Sequence, residues 1–495
     1  MILRRVGLFG LAQAAALAAG LALQVVVARA LGAGDYGRFI VAHSVSLAAL
    51  GLLMSAVPNA LRRLVSVNRG NLQRAWRAVW LVQLPIAIAF AAALAGLAPL
   101  LAGAMRDVLL VPALVVVAAE LAIKAGVLEP GWHLLNGLGR HALQAGLMTG
   151  HSLLRVTCVV CLLGVSVGLV ESLAGLLVSA TVSAAVVVPI VRRLAKSTPG
   201  RPDGGFAREL LRWARLAPGV DALNYLLVAA NLWVLKAMTV DAALVGVYAA
   251  CFMLAQAILP FSLVLSRAAF APFARAVSEG GTADAARLLS QASRLAILGA
   301  GWGAAVSVGC GDAVVSLMYG SGFAAPGTLL ALLVSGMAGT AWLWFLCEML
   351  GAAGRLKARL RLMAAVFAAS VAATLVLTRA FGPWGCAWTL AIAGWLGALA
   401  ASVCLGAAAG AFVPWRSLFR AAVASAALVA VARLGQPAGP GPTVLAGILG
   451  VSVGYLAMLA LLQEWNLAQW QSAWRVLRGL GTPATEAIPE GERYA

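Results

Sequence analysis

Predominantly apolar runs of about twenty residues recur along the whole 495-residue chain. A helix needs about 20 such residues to cross the hydrocarbon core of a bilayer. The runs predict fourteen transmembrane helices, at roughly 6–30, 39–61, 78–103, 108–128, 142–168, 171–191, 216–240, 242–266, 295–318, 327–350, 362–380, 384–409, 419–434 and 443–463. An outer-membrane barrel is excluded, because its strands alternate apolar and polar residues over about ten positions. Composition excludes a soluble globule: 62% of residues are hydrophobic and 11% charged, against roughly 45–50% and 25% in soluble domains. The expected fold class is an all-α polytopic membrane protein.

Charge sets the orientation. The formal net charge is +19, and the basic residues sit in short blocks between apolar runs. With the N-terminus in the cytoplasm, 28 of the 36 Lys and Arg fall on the cytoplasmic side and 5 outside. Lys124, Arg155 and Lys236 remain within spans. Cytoplasmic loops are enriched in Lys and Arg, so both termini are expected inside a bacterial cytoplasmic (inner) membrane. The same distribution argues against nucleic acid as a partner. The first apolar run is too long for a cleavable signal. Cys158 and Cys161 form a C-x-x-C inside an apolar run and read as small apolar side chains. Two segments read as amphipathic surface helices or, equally, as plain helix extensions into the cytoplasm, one from Phe206 to Ala217 and one around Leu467, Trp470 and Trp474; a disordered tail is expected beyond Pro483.

The chain also echoes itself. Gly37 and Phe39 follow the first span as Gly246 and Tyr248 follow the seventh. Gly137-Leu138-Gly139-Arg140 matches Ala352-Ala353-Gly354-Arg355 after the fourth and tenth. Six helices separate the copies, so the halves share one orientation, a recurring transporter plan. The expected organisation is an N-terminal lobe over 1–200 and a C-terminal lobe over 201–410, two pseudo-symmetric six-helix lobes. Two extra C-terminal helices over 411–463 and an interfacial tail over 464–495 complete it.

The stretch Ala28-Arg29-Ala30-Leu31-Gly32-Ala33-Gly34-Asp35-Tyr36-Gly37-Arg38-Phe39 resembles the opening of polysaccharide-type flippases. These belong to the multidrug/oligosaccharidyl-lipid/polysaccharide exporter superfamily and include O-antigen and exopolysaccharide repeat-unit flippases. Val245-Gly246-Val247-Tyr248-Ala249-Ala250, Gly351-Ala352-Ala353-Gly354-Arg355 and Gly382-Pro383-Trp384-Gly385-Cys386-Ala387-Trp388-Thr389 are similar to later parts of that family. The resemblance implies alternating access by rocking lobes, a lipid-linked glycan substrate and polysaccharide assembly proteins as partners. Members often carry Asp where this chain has Asn231, which weakens any carboxylate-based ion coupling at that position.

Charge inside a bilayer is expensive and marks substrate or ion pathways. Gln144, His151 and Arg155 share one face of the fifth span at about 100° per residue. A guanidinium there suits phosphate; the plainer reading is a structural ion pair with Glu120, Asp312 or Glu348. Asp221, Asn224, Tyr225, Asn231 and Lys236 line a polar face of the seventh span, which reads as a cavity wall or as a hydrogen-bonded seam. Gln13 and Gln24 are co-facial on the first span. Glu120 and Lys124 form an i,i+4 pair that can neutralise itself. The candidate substrate contacts are therefore Arg155, His151, Gln144, Lys236, Asn231, Asn224, Asp221, Gln13, Gln24 and Lys124. Asp221, Glu120, Glu348 and Asp312 are candidate ion-coupling carboxylates. His43, His133 and His141 show no ligand spacing, and no metal or cofactor is implied.

Three functions compete. A flippase for a polyprenyl-pyrophosphate-linked oligosaccharide needs a cationic cavity and no nucleotide site. The sequence contains no Gly-x-x-x-x-Gly-Lys-[Ser/Thr]. A multidrug exporter would favour embedded carboxylates. A membrane glycosyltransferase or polymerase would need a large external loop with catalytic groups, whereas 31–38, 319–326 and 435–442 are the longest external loops expected.

Overall fold

The computed structural model of the chain describes residues 2–198, 205–216, 220–323, 326–409, 413–434, 441–462 and 464. Every regular element among them is helical. The first half runs α1 (Ile2–Ser55), α2 (Val57–Val67), α3 (Leu72–Ala78), α4 (Leu84–Ala104), α5 (Leu110–Ile123), α6 (Glu129–Gly137), α7 (His141–Val165) and α8 (Leu169–Ser197). After α9 (Phe206–Leu216) come α10 (Val220–Met238), α11 (Ala242–Ala255), α12 (Leu259–Ser278), α13 (Thr282–Tyr319), α14 (Gly327–Ala352), α15 (Leu356–Phe381) and α16 (Pro383–Ala409). α17 (Trp415–Leu434) and α18 (Gly441–Leu461) follow. Among the described residues, ten stretches are long and apolar enough to cross a membrane, with shorter apolar helices at Ala222–Met238 and Ala242–Ile258. The predicted surface helix around Trp470 lies outside the described residues.

α1 carries two spans. Its 54 residues would run about 80 Å if straight. Gly32 leaves helical backbone at φ 71° and ψ 176°. The Tyr36 hydroxyl then donates to Gln24 Oε1 at 3.2 Å, whereas twelve residues of straight helix would separate them by about 18 Å. The chain doubles back at Gly32, in backbone space that a residue with a Cβ resists.

Several spans end elsewhere than apolarity alone predicts. The second stops at Ser55, because Pro58 opens a new helix, α2. The third continues from α3 through a π-turn at Val79–Gln83 into α4. The fourth runs on to Gly137 through a second π-turn at Lys124–Leu128. The two wide turns face one another, and Gln83 Nε2 donates to the Ala125 carbonyl at 2.9 Å.

The internal repeat is visible in the backbone. Gly139 and Gly354 both sit at φ 73°. In each turn the following arginine N–H returns to a carbonyl five residues back: Arg140 to Leu135 and Arg355 to Leu350, both at 2.9 Å. The other repeated glycines touch each other. A Cβ on Gly37 would lie 2.8 Å from the Ala242 oxygen, and one on Gly246 would strike the Ala33 oxygen. Ala33 and Ala242 are offset by 209 residues, as are Gly37 and Gly246. The contact is reciprocal, as at a two-fold axis, so two pseudo-symmetric six-helix lobes meet at this crossing.

A core of Tyr36, Phe39, Tyr248, Tyr319, Phe323 and Met337 spans both halves there. In the second half α14 is the hub, with 83% of its apolar window buried, whereas α7 has 11%. α17 and α18 pack on α13. The Tyr455 hydroxyl donates to the Leu298 carbonyl at 3.0 Å, and Glu464 takes Arg294 at 2.6 Å and Arg420 at 3.0 Å.

Candidate functional site

α7 exposes most of its surface, yet one stripe turns inward: Gln144, Met148, His151, Arg155, Val159 and Leu163 at three- and four-residue steps. That stripe meets α1 and α8. His151 Nδ1 pairs with Ser183 Oγ at 2.8 Å, and its ring meets Trp132 edge-on at 5.4 Å. Gln144 Oε1 accepts from Asn136 Nδ2 at 3.0 Å. Beside this stripe, Lys124 Nζ stands 3.7 Å from Glu120 Oε1, with both side chains buried. Ser46 Oγ of α1 reaches Glu120 at 3.5 Å.

Arg155 lies within electrostatic range of Glu120 and Glu129, and His43 within range of Arg155 and Lys124. Arg155 Nε and Trp132 Nε1 are buried without a hydrogen-bond partner among the described residues, as is His43 Nδ1. A buried donor left unpaired typically costs about 1–3 kcal/mol, more when charged. Such a site is poised to receive an acceptor, and an anionic oxygen is the strongest one for a guanidinium.

Glu129 and His43 did not stand out in the sequence. Nine residues of regular helix would put Glu129 roughly opposite Glu120. The π-turn inserts one extra residue between them and brings Glu129 back toward the same side. His43 has no partner at ligand spacing along the chain; it joins the cluster because α1 folds against α7.

The remaining predicted residues are not gathered there. Lys236 is 1% exposed and lies 2.7 Å from Asp107, which also takes Arg38 at 2.8 Å; Arg38 in turn meets Asp35 at 2.6 Å. This network joins the α4–α5 turn, α1 and the second lobe's α10. Burial pushes the Asp107 carboxyl up, but hydrogen bonds from Lys236 and Arg38 outweigh it and hold the group below the usual carboxylate range. Asn231 accepts from Thr374 Oγ1 at 2.5 Å, inside the second lobe. Asn224 is buried, and its Oδ1 has no partner among the described residues. Gln24 is taken by Tyr36. Asp312 accepts from the Gly327 N–H at the start of α14. Glu348 pairs with Arg359 at 2.5 Å. The side chains of Gln13 and Asp221 fall outside the described residues. No group of three or more His, Cys, Asp or Glu among the described residues is arranged to hold a metal.

The lobe seam is closed along α1. Trp233 Nε1 of α10 donates to Ser44 Oγ at 2.8 Å, and the Arg29 guanidinium reaches the Leu317 and Met318 carbonyls of α13.

In fold the chain is similar to the lipid II flippase MurJ in an inward closed conformation, with a TM-score of 0.70 and 14% identity over 92% of this chain and 98% of that one. It is also similar to a MATE transporter of Vibrio cholerae in its bent form, with a TM-score of 0.55 and 16% identity over 86% and 98% of the two chains. A eukaryotic MATE transporter aligns with a TM-score of 0.57 and 11% identity over 84% of this chain and 100% of its own. No family model and no curated protein matches the sequence. At these identities the likeness speaks for the arrangement of the helices.

Proposed function

We propose that the chain is a flippase that moves a polyprenyl-pyrophosphate-linked oligosaccharide from the cytoplasmic to the outer leaflet by alternating access between its lobes. The observation that carries this reading is Arg155, a cation inside the bundle whose Nε has no acceptor among the described residues. Pyrophosphate oxygens supply that acceptor, and Lys124 and His151 stand beside it. The lipid tail stays in the bilayer while the headgroup crosses. A potential negative inside drives anionic cargo outward, by about 2.3 kcal/mol per charge per 100 mV. Lobes over 1–200 and 201–410 would rock about the Gly37–Gly246 crossing. Lys236, Asp107 and Arg38 hold the outer end of the seam shut in the state described, with the arginine-rich end cytoplasmic. MurJ, by its name a flippase of lipid II, shares this helix arrangement and lends the reading a precedent.

A second reading, export of a small organic cation, is favoured by one feature. Glu120 and Glu129 lie within electrostatic range of Arg155 and offer carboxylates to such cargo. Purified protein in proteoliposomes separates the two. Under an imposed potential, the flippase reading expects a fluorescent polyprenyl-pyrophosphate oligosaccharide to change leaflets. Ethidium uptake with no movement of the lipid-linked probe would reverse the assignment.

A further inference from the structure

In the first half of the chain, an open fissure of 350 Å³ is lined by apolar side chains. Trp80 and Leu84 form one wall, Ile123 and Val127 the floor, and Ala185 and Val188 the other wall. Its volume lies in the range of ligand sites. Both π-turns border it: Trp80 belongs to Val79–Gln83 and Val127 to Lys124–Leu128. The Gln83–Ala125 bond pins those two turns together. Wide turns of this kind are frequent at functional sites.

The chemistry changes at one end of the fissure. On α8 the steps Ala185, Val188, Arg192 keep one face, and Arg192 is exposed about 6 Å beyond Val188 along the axis. On the opposite wall Arg77 precedes Trp80 by three residues and is also exposed. α3, which carries Arg77, packs on α8, so the two cations flank one mouth. Trp80 is 41% exposed, with its ring set edge-on against Trp76 at 5.8 Å, as an interfacial anchor would be.

We infer that this fissure is a binding site for an anionic glycerophospholipid. An acyl chain lies between α4 and α8, and the phosphate sits between Arg77 and Arg192. Charge complementarity at the mouth selects an anionic headgroup over a zwitterionic one. The inference does not rest on the cargo assignment and stands whether or not the chain is a flippase.

Native mass spectrometry of the full-length protein, re-lipidated with phosphatidylglycerol and phosphatidylethanolamine of matched chains, tests it. The wild type should retain phosphatidylglycerol preferentially. The Arg77→Gln/Arg192→Gln pair should lose that preference about tenfold or more, the size expected for two juxtamembrane cations, and Arg77→Lys/Arg192→Lys should keep it. If the glutamine pair does not fold, Ala185→Trp, which fills the fissure, should lower retention of phosphatidylglycerol on its own. Equal retention of the two lipids by the wild type would overturn the inference. So would unchanged retention in either the glutamine pair or Ala185→Trp, or displacement of phosphatidylglycerol by polyprenyl phosphate at equal concentration.

Discussion

Two of the regions in which this protein buries charge handle it in opposite ways. In the lobe seam, Lys236, Asp107, Arg38 and Asp35 form a chain of contacts between 2.6 and 2.8 Å. In the first lobe, Lys124 and Glu120 stand 3.7 Å apart, and Arg155 Nε finds no acceptor among the described residues. A satisfied network specifies how two bodies dock; an unsatisfied one leaves its free energy for something that arrives later. In the proposed reading, the seam holds the lobes together and the α7 cluster receives cargo.

The largest expected effect lies in the seam. Asp107→Ala leaves Lys236 buried and unpaired, and removing one partner of a buried pair costs about 3–5 kcal/mol. Thermal unfolding in detergent should show a large fall in Tm; a change under about 1 kcal/mol would mean that solvent already reaches the pair. In the α7 cluster the same operation should do far less to stability. Arg155→Leu removes a cation that lacks a full complement of partners, so its ΔΔG should lie within about 1 kcal/mol of zero or favour folding. A loss as large as that of Asp107→Ala would erase the distinction between the regions.

Acid sharpens the comparison. Asp107 is held below the usual carboxylate range, and so is Glu464, where burial is outweighed by hydrogen bonds from Ser417 and Arg420 and by Arg294. A depressed folded pKa adds stability above the unfolded value, and that stability disappears as pH falls through the folded one. The Tm difference between wild type and Asp107→Asn should therefore be full at pH 7 and shrink below about pH 4. A constant difference down to pH 3 would show that charge is not what Asp107 contributes. Another small effect is expected at Arg106, which holds φ 52° in the turn that presents Asp107. Arg106→Gly should stabilise by about 1 kcal/mol, read as a rise in Tm of a few degrees or less.

Much of this architecture is written in hydropathy. Apolar runs mark the helices because each must cross lipid, and the glycine-bearing turns at Gly37, Gly246, Gly139 and Gly354 announce the repeat because only small residues fit the crossing or adopt that backbone. Pro58 signalled the early end of the second span, but apolarity around it masked the break. The site was less legible. The stripe Gln144, His151, Arg155 follows from periodicity alone. Glu129 does not, since a π-turn shifts its register, and the pairing of Asp107 with Lys236 joins residues 129 apart through folding of the whole bundle.

The central claim is that cargo passes Arg155. The direct measurement is translocation of a lipid-linked pyrophosphate glycan by Arg155→Ala in proteoliposomes, with Tm recorded on the same preparation. The account predicts no translocation at a Tm within a few degrees of wild type. Wild-type translocation by that folded variant would contradict it.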